Sequence, residues 1–298
     1  MKFSNLKLVI CGANGFTGRV LCQELIDNNF SFTAILRPGN DPFWMNERNI
    51  SYEFADLENA FDLEDKIIGH DVLISVASIA FGNVPSILKA CKNANINRVI
   101  FTSSTAIFTK LNAKSKEARF AAEKIIIESE FIWTIIRPTM IYGTPDDRNL
   151  IRLIKWIDKN PFLPIFGTGT YLQQPIYVYD LAKTFINIIE NKKTFNMTFN
   201  VSGLKPITYK EMILTIKKEL KKKCIEIYLP ANFFIFILKF MEKLKIKFPI
   251  KAEQLERLNE DKSFSNESAK NAFNFKSITF KEGIRSEIKK YKIKNKFL

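Results

Sequence analysis

The chain has 298 residues, 46% of them hydrophobic, and carries 45 Lys and Arg against 31 Asp and Glu, a net charge of +14. That length suits one large core, or one core with a smaller lobe, and the apolar content is ordinary for a water-soluble globular protein. Cys11, Cys22, Cys91 and Cys224 lie far apart without CxxC spacing, and the longest apolar stretch, Phe233 to Leu238, falls far short of the ~20 residues of a spanning helix. A zinc centre, a disulfide framework and a transmembrane anchor are therefore disfavoured, and no metal site is expected. The charge reads as composition more than as the mark of a partner. Lysines are spread along the chain, with local clusters at Lys217–Lys223 and Lys289–Lys296, and Lys, Ile, Asn and Phe are all abundant, as an A/T-rich coding sequence produces. We expect no nucleic-acid partner, although a basic surface favours nucleotide phosphates and anionic membrane surfaces.

Met1 leads within a few residues into the first strand, which leaves no room for a signal peptide and, with the scattered cysteines, predicts a reduced cytoplasmic protein. The mostly apolar run Leu6–Cys11 fits a buried strand. Gly12, Gly15 and Gly18 follow at GxxGxxG spacing, and a helix opens at once over Gly18–Asn28. Dinucleotide chemistry needs that order. Glycines let the backbone turn tightly and let a pyrophosphate approach without a Cβ in the way, and the helix N-terminus offers free N–H groups at the positive end of its dipole. Strand-like runs at Ser31–Leu36, Ser51–Phe54, Val72–Ala77, Arg98–Thr102 and Trp133–Arg137 then alternate with amphipathic stretches at Asn59–Ile68, Asn83–Ala94 and Lys114–Ser129. This alternation predicts an α/β fold, a Rossmann-type doubly wound parallel sheet with helices on both faces. Beyond Tyr142 prolines interrupt the pattern. Helices are expected at Asn149–Asn160 and Asp180–Asn191, with a late strand at Phe199–Ser202. The stretch Pro230–Lys247 mixes aromatic and aliphatic residues with lysines; it fits a core-facing helix better than an interfacial one, while its lysine-rich end also suits a peripheral membrane contact.

The chain resembles the short-chain dehydrogenase/reductase superfamily, whose glycine spacing is GxxGxxG. Phe54-Ala55-Asp56-Leu57 is similar to the segment after the third strand whose Asp touches the adenine. Asp71–Ser78 resembles the fourth strand with its Ala-containing turn over the cofactor, and Arg98–Thr105 the fifth strand with its active-site serine. Arg137-Pro138 through Tyr142-Gly143 resembles the RPxxxYG segment of the epimerase/dehydratase branch, as do the Gly167-Thr168-Gly169 turn and Pro175–Ala182. The resemblance implies two regions: residues 1–204, an NAD(P)-binding Rossmann domain with substrate-side segments interleaved after 142, and residues 205–298, a small, mostly helical C-terminal lobe capping the substrate. It implies cofactor contacts at Gly12, Asn14, Gly15, Phe16, Gly18 and Arg19 in the loop, at Asp56 and Leu57, and at Ala77, Thr102 and Pro138. By analogy alone it also implies a helix-paired homodimer.

Arg37 stands after the second strand, where an acid would bind the ribose 2′-hydroxyl of NAD and an arginine suits the 2′-phosphate of NADP. Arg19 could reach the same phosphate. The expected cofactor is NADP, with NAD the alternative. Family members usually catalyse with a YxxxK tyrosine and lysine helped by a serine, yet the helix reads Lys114-Ser-Lys-Glu-Ala-Arg-Phe120-Ala-Ala-Glu-Lys124 and has no tyrosine. Spacing alone pairs Phe120 with Lys124. Matching instead the glutamate that follows the family's lysine by four residues puts Glu123 there, Arg119 at the lysine position and Ser115 at the tyrosine position; this register is preferred. The candidate catalytic residues are Ser104, to bond the reacting oxygen, and Ser115, Arg119, Lys124 and Tyr142, from which a substitute for the tyrosine would come. Ser103 and Thr105 fit strand-end capping, and His70 a solvent-facing loop. Two readings follow. One is an NAD(P)-dependent epimerase, dehydratase or 4-keto reductase moving hydride at a carbon of a nucleotide sugar. The other is a non-catalytic NADP(H)-binding redox sensor or assembly subunit, similar to NmrA-like proteins and to the nucleotide-binding subunit of respiratory complex I, with which Gln174-Pro175-Ile-Tyr-Val178 shares a QPxxV pattern.

Overall fold

The computed structural model describes residues 6–111, 113–244, 246 and 251–296, the side chains of 295 and 296 aside. The first five residues, on which the expectation of no leader rests, lie outside the described residues, as do Lys245 and Lys247 of the expected Pro230–Lys247 helix.

Six strands, β1 (Lys7–Cys11), β2 (Ser31–Leu36), β3 (Tyr52–Phe54), β4 (Val72–Ser75), β5 (Arg98–Thr102) and β6 (Ile132–Pro138), and a seventh at Met197–Val201 form one parallel sheet. Its order is seventh–β6–β5–β4–β1–β2–β3, with Leu8 opposite Phe32 on one side and Val72 on the other. The near-continuous apolar runs are explained by burial on both faces. Helix α1 (Phe16–Asp27) packs with helix Val178–Ile188 on one face. After a four-residue turn of helix, α2 (Phe43–Asn46), helices α3 (Ala60–Ile67), α4 (Val84–Asn93) and α5 (Lys114–Ile127) cover the other.

Strand β4 ends at Ser75, two residues before the expected Ala77, because the chain there turns across the glycine loop. Arg98 is buried at the start of β5 and donates to the carbonyl oxygens of Ile188 and Ile189. A guanidinium thus closes the negative end of helix Val178–Ile188. Burial draws its pKa down to about 10. His70 is not the solvent-facing histidine expected: its two ring nitrogens lie 3.0 Å from the Ile67 carbonyl and 2.9 Å from the Thr33 hydroxyl.

A second apolar core joins Tyr142, Ile154 and Ile157 to Met212, Ile216, Ile284 and Ile288, so the lobe draws on residues from both sides of position 204. Phe273 and Phe275 return to the main core. A parallel strand pair, Phe162–Phe166 with Ile225–Leu229, was not foreseen. The apolar helix runs over Ala231–Lys243 with Leu238 its one buried residue, so most of it lies on the surface and not in the lobe core. No helix among the described residues is long and apolar enough to cross a membrane.

Candidate cofactor and substrate site

The sheet order changes direction between β1 and β4, and the crevice beyond the ends of those two strands is where doubly wound folds bind ligands. Both of its walls are built for a close backbone approach. Gly12 has φ +81° and lies so close to Ala77 that a Cβ would come within 2.8 Å of the Ala77 nitrogen. A Cβ at Gly18 would meet the Gly12 carbonyl oxygen at 2.2 Å. Helix α1 starts at Phe16 with Gly15 as its cap, no side chain on its first N–H groups and no acid in its first turn. Those donors are left for an anion.

At the far end of the crevice Asn14 and Arg19 are joined, the Asn14 Oδ1 accepting from Arg19 Nη2 at 2.8 Å. The Asn14 amide donates in turn to the Asp41 carbonyl. Trp44 on α2 carries the Arg19 guanidinium 5.7 Å from its ring centroid and that of Arg48 at 4.4 Å. Trp44 was not singled out from the sequence, since only the loop after β2 brings it beside the glycine turn. Arg37 is exposed and makes no ion pair among the described residues. Asp56 is exposed and accepts the Glu58 N–H, while Leu57 packs on the sheet core.

Deeper in, the hydroxyls of Ser75, Thr102 and Ser103 are buried without a protein partner. Buried hydroxyls of that kind are costly unless something bonds them. Ser104 Oγ accepts the Ala106 N–H at 3.2 Å, so it caps the short helical turn Thr105–Phe108, and Thr105 donates to the Pro138 carbonyl. The glycine cradle, free helix terminus and orphaned hydroxyls fit an NAD(P) dinucleotide. When bound, its nicotinamide supplies a hydride donor or acceptor.

Helix α5 separates the two registers. Phe120 is 65% exposed, and Lys124 faces solvent beside Glu128 at 3.7 Å. The other face carries Ser115, Arg119 and Glu123. Glu123 is buried and takes the Arg137 guanidinium through both oxygens, from Nε at 2.9 and 3.1 Å and from Nη2. Arg119 donates to the Ser115 carbonyl. From the lobe, helix Ala252–Leu258 sends Arg257 Nη2 to within 3.2 Å of Ser115 Oγ, where Glu253 also holds it. Burial first, and the Arg257 charge second, depress the Arg119 pKa. The Arg257 Nε is buried with no partner. Next to this pair Lys262 donates to the Arg257 carbonyl, and burial lowers its pKa to about 8. Arg257 and Lys262 were missed from the sequence, because only the fold places them against α5.

Tyr142 is not at this mouth. It is buried between Tyr177 and Phe280, its hydroxyl 3.5 Å from the Phe280 carbonyl, and burial drives its pKa well above the usual phenol value. It packs the lobe and is no ready proton donor. Gln174 of the QPxxV segment is also a tie: its side chain donates to Gly203 and accepts the Phe264 N–H. Asp180 accepts the Ile278 N–H.

A seven-stranded parallel sheet with a glycine cradle at its switch point defines a dinucleotide-binding protein. The chain belongs to the NAD(P)H-binding family, whose model matches residues 12–160, within the short-chain dehydrogenase/reductase superfamily. It is 25% identical over 236 residues to the chloroplast stem-loop binding protein of 41 kDa b of Arabidopsis thaliana, covering 69% of this chain and 61% of that protein. It is 22% identical over 259 residues to the N-acetyl-α-D-glucosaminyl-diphospho-ditrans,octacis-undecaprenol 4-epimerase of Escherichia coli O157:H7, covering 76% of each. With the mitochondrial NADH dehydrogenase 1 alpha subcomplex subunit 9 of A. thaliana it shares 25% identity over 197 residues, 64% of this chain and 48% of that subunit. Among solved structures, a UDP-glucose 4-epimerase from Thermotoga maritima with UDP-glucose has a TM-score of 0.77 at 14% identity, covering 97% of this chain and all of that one. The chain thus spans about three-fifths of the first of these relatives and about half of the third.

Proposed function

We propose that the protein is an NADP(H)-dependent enzyme that moves hydride at a carbon of a nucleotide sugar, as an epimerase, dehydratase or 4-keto reductase. The observation that carries this reading is the meeting of two guanidiniums, Arg119 from α5 and Arg257 from the lobe, at Ser115. Of the two, only Arg257 has a carboxylate against it among the described residues. Two half-buried cations with one counter-charge attract an anion into the mouth, and a planar guanidinium suits a diphosphate. Arg37, free at the end of β2, favours the 2′-phosphate of NADP over NAD. In this reading Arg119 and Arg257 seat the diphosphate, Ser104 bonds the reacting oxygen, and Ser115 stands where the family keeps its tyrosine. The undecaprenol 4-epimerase among its relatives widens the substrate class to sugars on a polyprenyl diphosphate, which offer the same two phosphates. The four cysteines, unbridged and buried, suit a reduced cytoplasmic setting.

A second reading has one specific observation behind it. No phenol stands on the inward face of α5, and Tyr142 is held inside the lobe, so the usual proton donor is missing. That favours a non-catalytic NADP(H)-binding sensor or assembly subunit. The two readings part on Arg119→Met and Arg257→Met. Loss of a charge-assisted bond to a diphosphate should raise KM for a UDP-sugar about tenfold or more while NADPH affinity holds. A variant pair that changes neither sugar binding nor turnover would favour the second reading.

A further inference from the structure

Helix Ala231–Lys243 turns an unusual face to solvent. Phe233 is 59% exposed, Phe236 71%, Phe240 56% and Leu244 55%. Their spacing of three, four and four residues puts them on one stripe of the helix. The preceding strand also carries exposed Ile225 and Ile227. Four large apolar side chains exposed along one stripe of a helix mark an interaction surface.

The charge around the stripe says what covers it. Residues 221–251 contain eight lysines and two acids, Glu226 and Glu242. Both acids are engaged within the protein: Glu226 by Lys217 and the Tyr228 hydroxyl, Glu242 by the Ala252 N–H. Lys221 to Lys223 stand exposed at the turn before the strand, Lys222 paired with Asp158, and on the helix Lys243 is exposed while Lys239 is paired with Glu256. A second copy of the chain would set two such basic faces against each other, which repels. Aromatic side chains ringed by lysines match the boundary of an anionic bilayer, where rings enter the acyl edge and ammonium groups reach lipid phosphates.

We infer that this face docks the protein peripherally on an anionic membrane surface. The helix lies in the plane of the interface, with Phe233, Phe236, Phe240 and Leu244 inserted. Helix Ala252–Leu258 connects the docking face to the mouth: Leu255 packs with Leu238, while Arg257 two residues on reaches Ser115. A bilayer on this face therefore lies one short helix from the cations that would seat a diphosphate.

The test is co-sedimentation of the full chain with vesicles of phosphatidylcholine alone and of phosphatidylcholine with phosphatidylglycerol. The docked arrangement predicts partition at least tenfold stronger on the anionic vesicles, weakened by high salt. Phe236→Ser with Phe240→Ser should lower it at least tenfold again, with melting temperature and NADPH affinity unchanged. Phe236→Trp, which keeps the face aromatic, should be quenched by brominated lipid in anionic vesicles. Absence of the chain from both pellets, partition indifferent to the phenylalanines, or an unquenched Trp at 236 would overturn the proposal. A dimer in solution that Phe236→Ser with Phe240→Ser dissociates would overturn it too, and would give the face to a second copy. None of these readouts depends on turnover, so the docking face and the hydride reading fail separately.

Discussion

Arg37 and Glu123 show how differently two charged residues can be used around one sheet. Arg37 follows β2 and is exposed, and in doubly wound folds a residue near this place commonly reads the ribose 2′ position. Arg37→Glu should weaken NADPH binding about tenfold or more and leave NADH binding nearly unchanged, as titration calorimetry with each cofactor would show. Equal losses for both cofactors would remove Arg37 from that role. Glu123 is instead buried and spent on Arg137. That ion pair was not foreseen: the register drew attention to Glu123 and the RPxxxYG segment to Arg137, but spacing alone could not say which face of α5 turned inward. Arg257 was beyond reach, since its contact with Ser115 spans 142 residues of chain.

Elements whose constraints are local were the most legible. The loop from Gly12 to Gly18 could be read because its requirements are backbone ones, positive φ and no Cβ, which sequence states directly. The helix ends and the Ile225–Leu229 pairing were less so, being set by packing of the lobe. The C-terminal helix Phe280–Lys296 holds a feature that no pattern announces, Glu287 fully buried near Asp147. Burial disfavours the charged form of a carboxyl, and a second carboxyl nearby does so again. Burial first, then the Asp147 carboxyl, push the Glu287 pKa from 4.5 up to about 10, opposed by the Gly143 N–H and Lys290. With Tyr142 beside them, these are the titratable and charged groups that face it. A raised carboxyl pKa means that the native state holds a proton the unfolded chain has lost. The resulting stability is whole below the ordinary carboxyl value and drains away as pH rises toward 10. Thermal melts from about pH 5 to about pH 9 should show stability falling by up to about 1.4 kcal/mol per pH unit. Glu287→Gln, neutral at every pH, should flatten that slope. An unchanged slope would show that the proton is held elsewhere.

Across the whole molecule, bonds tie residues before position 204 to residues after it. Gln174 accepts the Phe264 N–H, Asp180 accepts the Ile278 N–H, and Arg257 reaches Ser115. The segments that resemble the epimerase/dehydratase branch, Arg137–Gly143 and Pro175–Ala182, supply the Asp180 tie and the Tyr142 packing, and Tyr142 is held inside the lobe core. The resemblance therefore carried fold further than chemistry. Hydride transfer on a diphosphate sugar is open to product analysis. Purified chain is incubated with NADPH, NADP⁺ and a panel of nucleotide sugars and polyprenyl-diphosphate sugars, including 4-keto-6-deoxy forms. A new sugar product is expected, formed about 10²-fold more slowly by Ser104→Ala. An unchanged panel, with cofactor bound in the same sample, would contradict it.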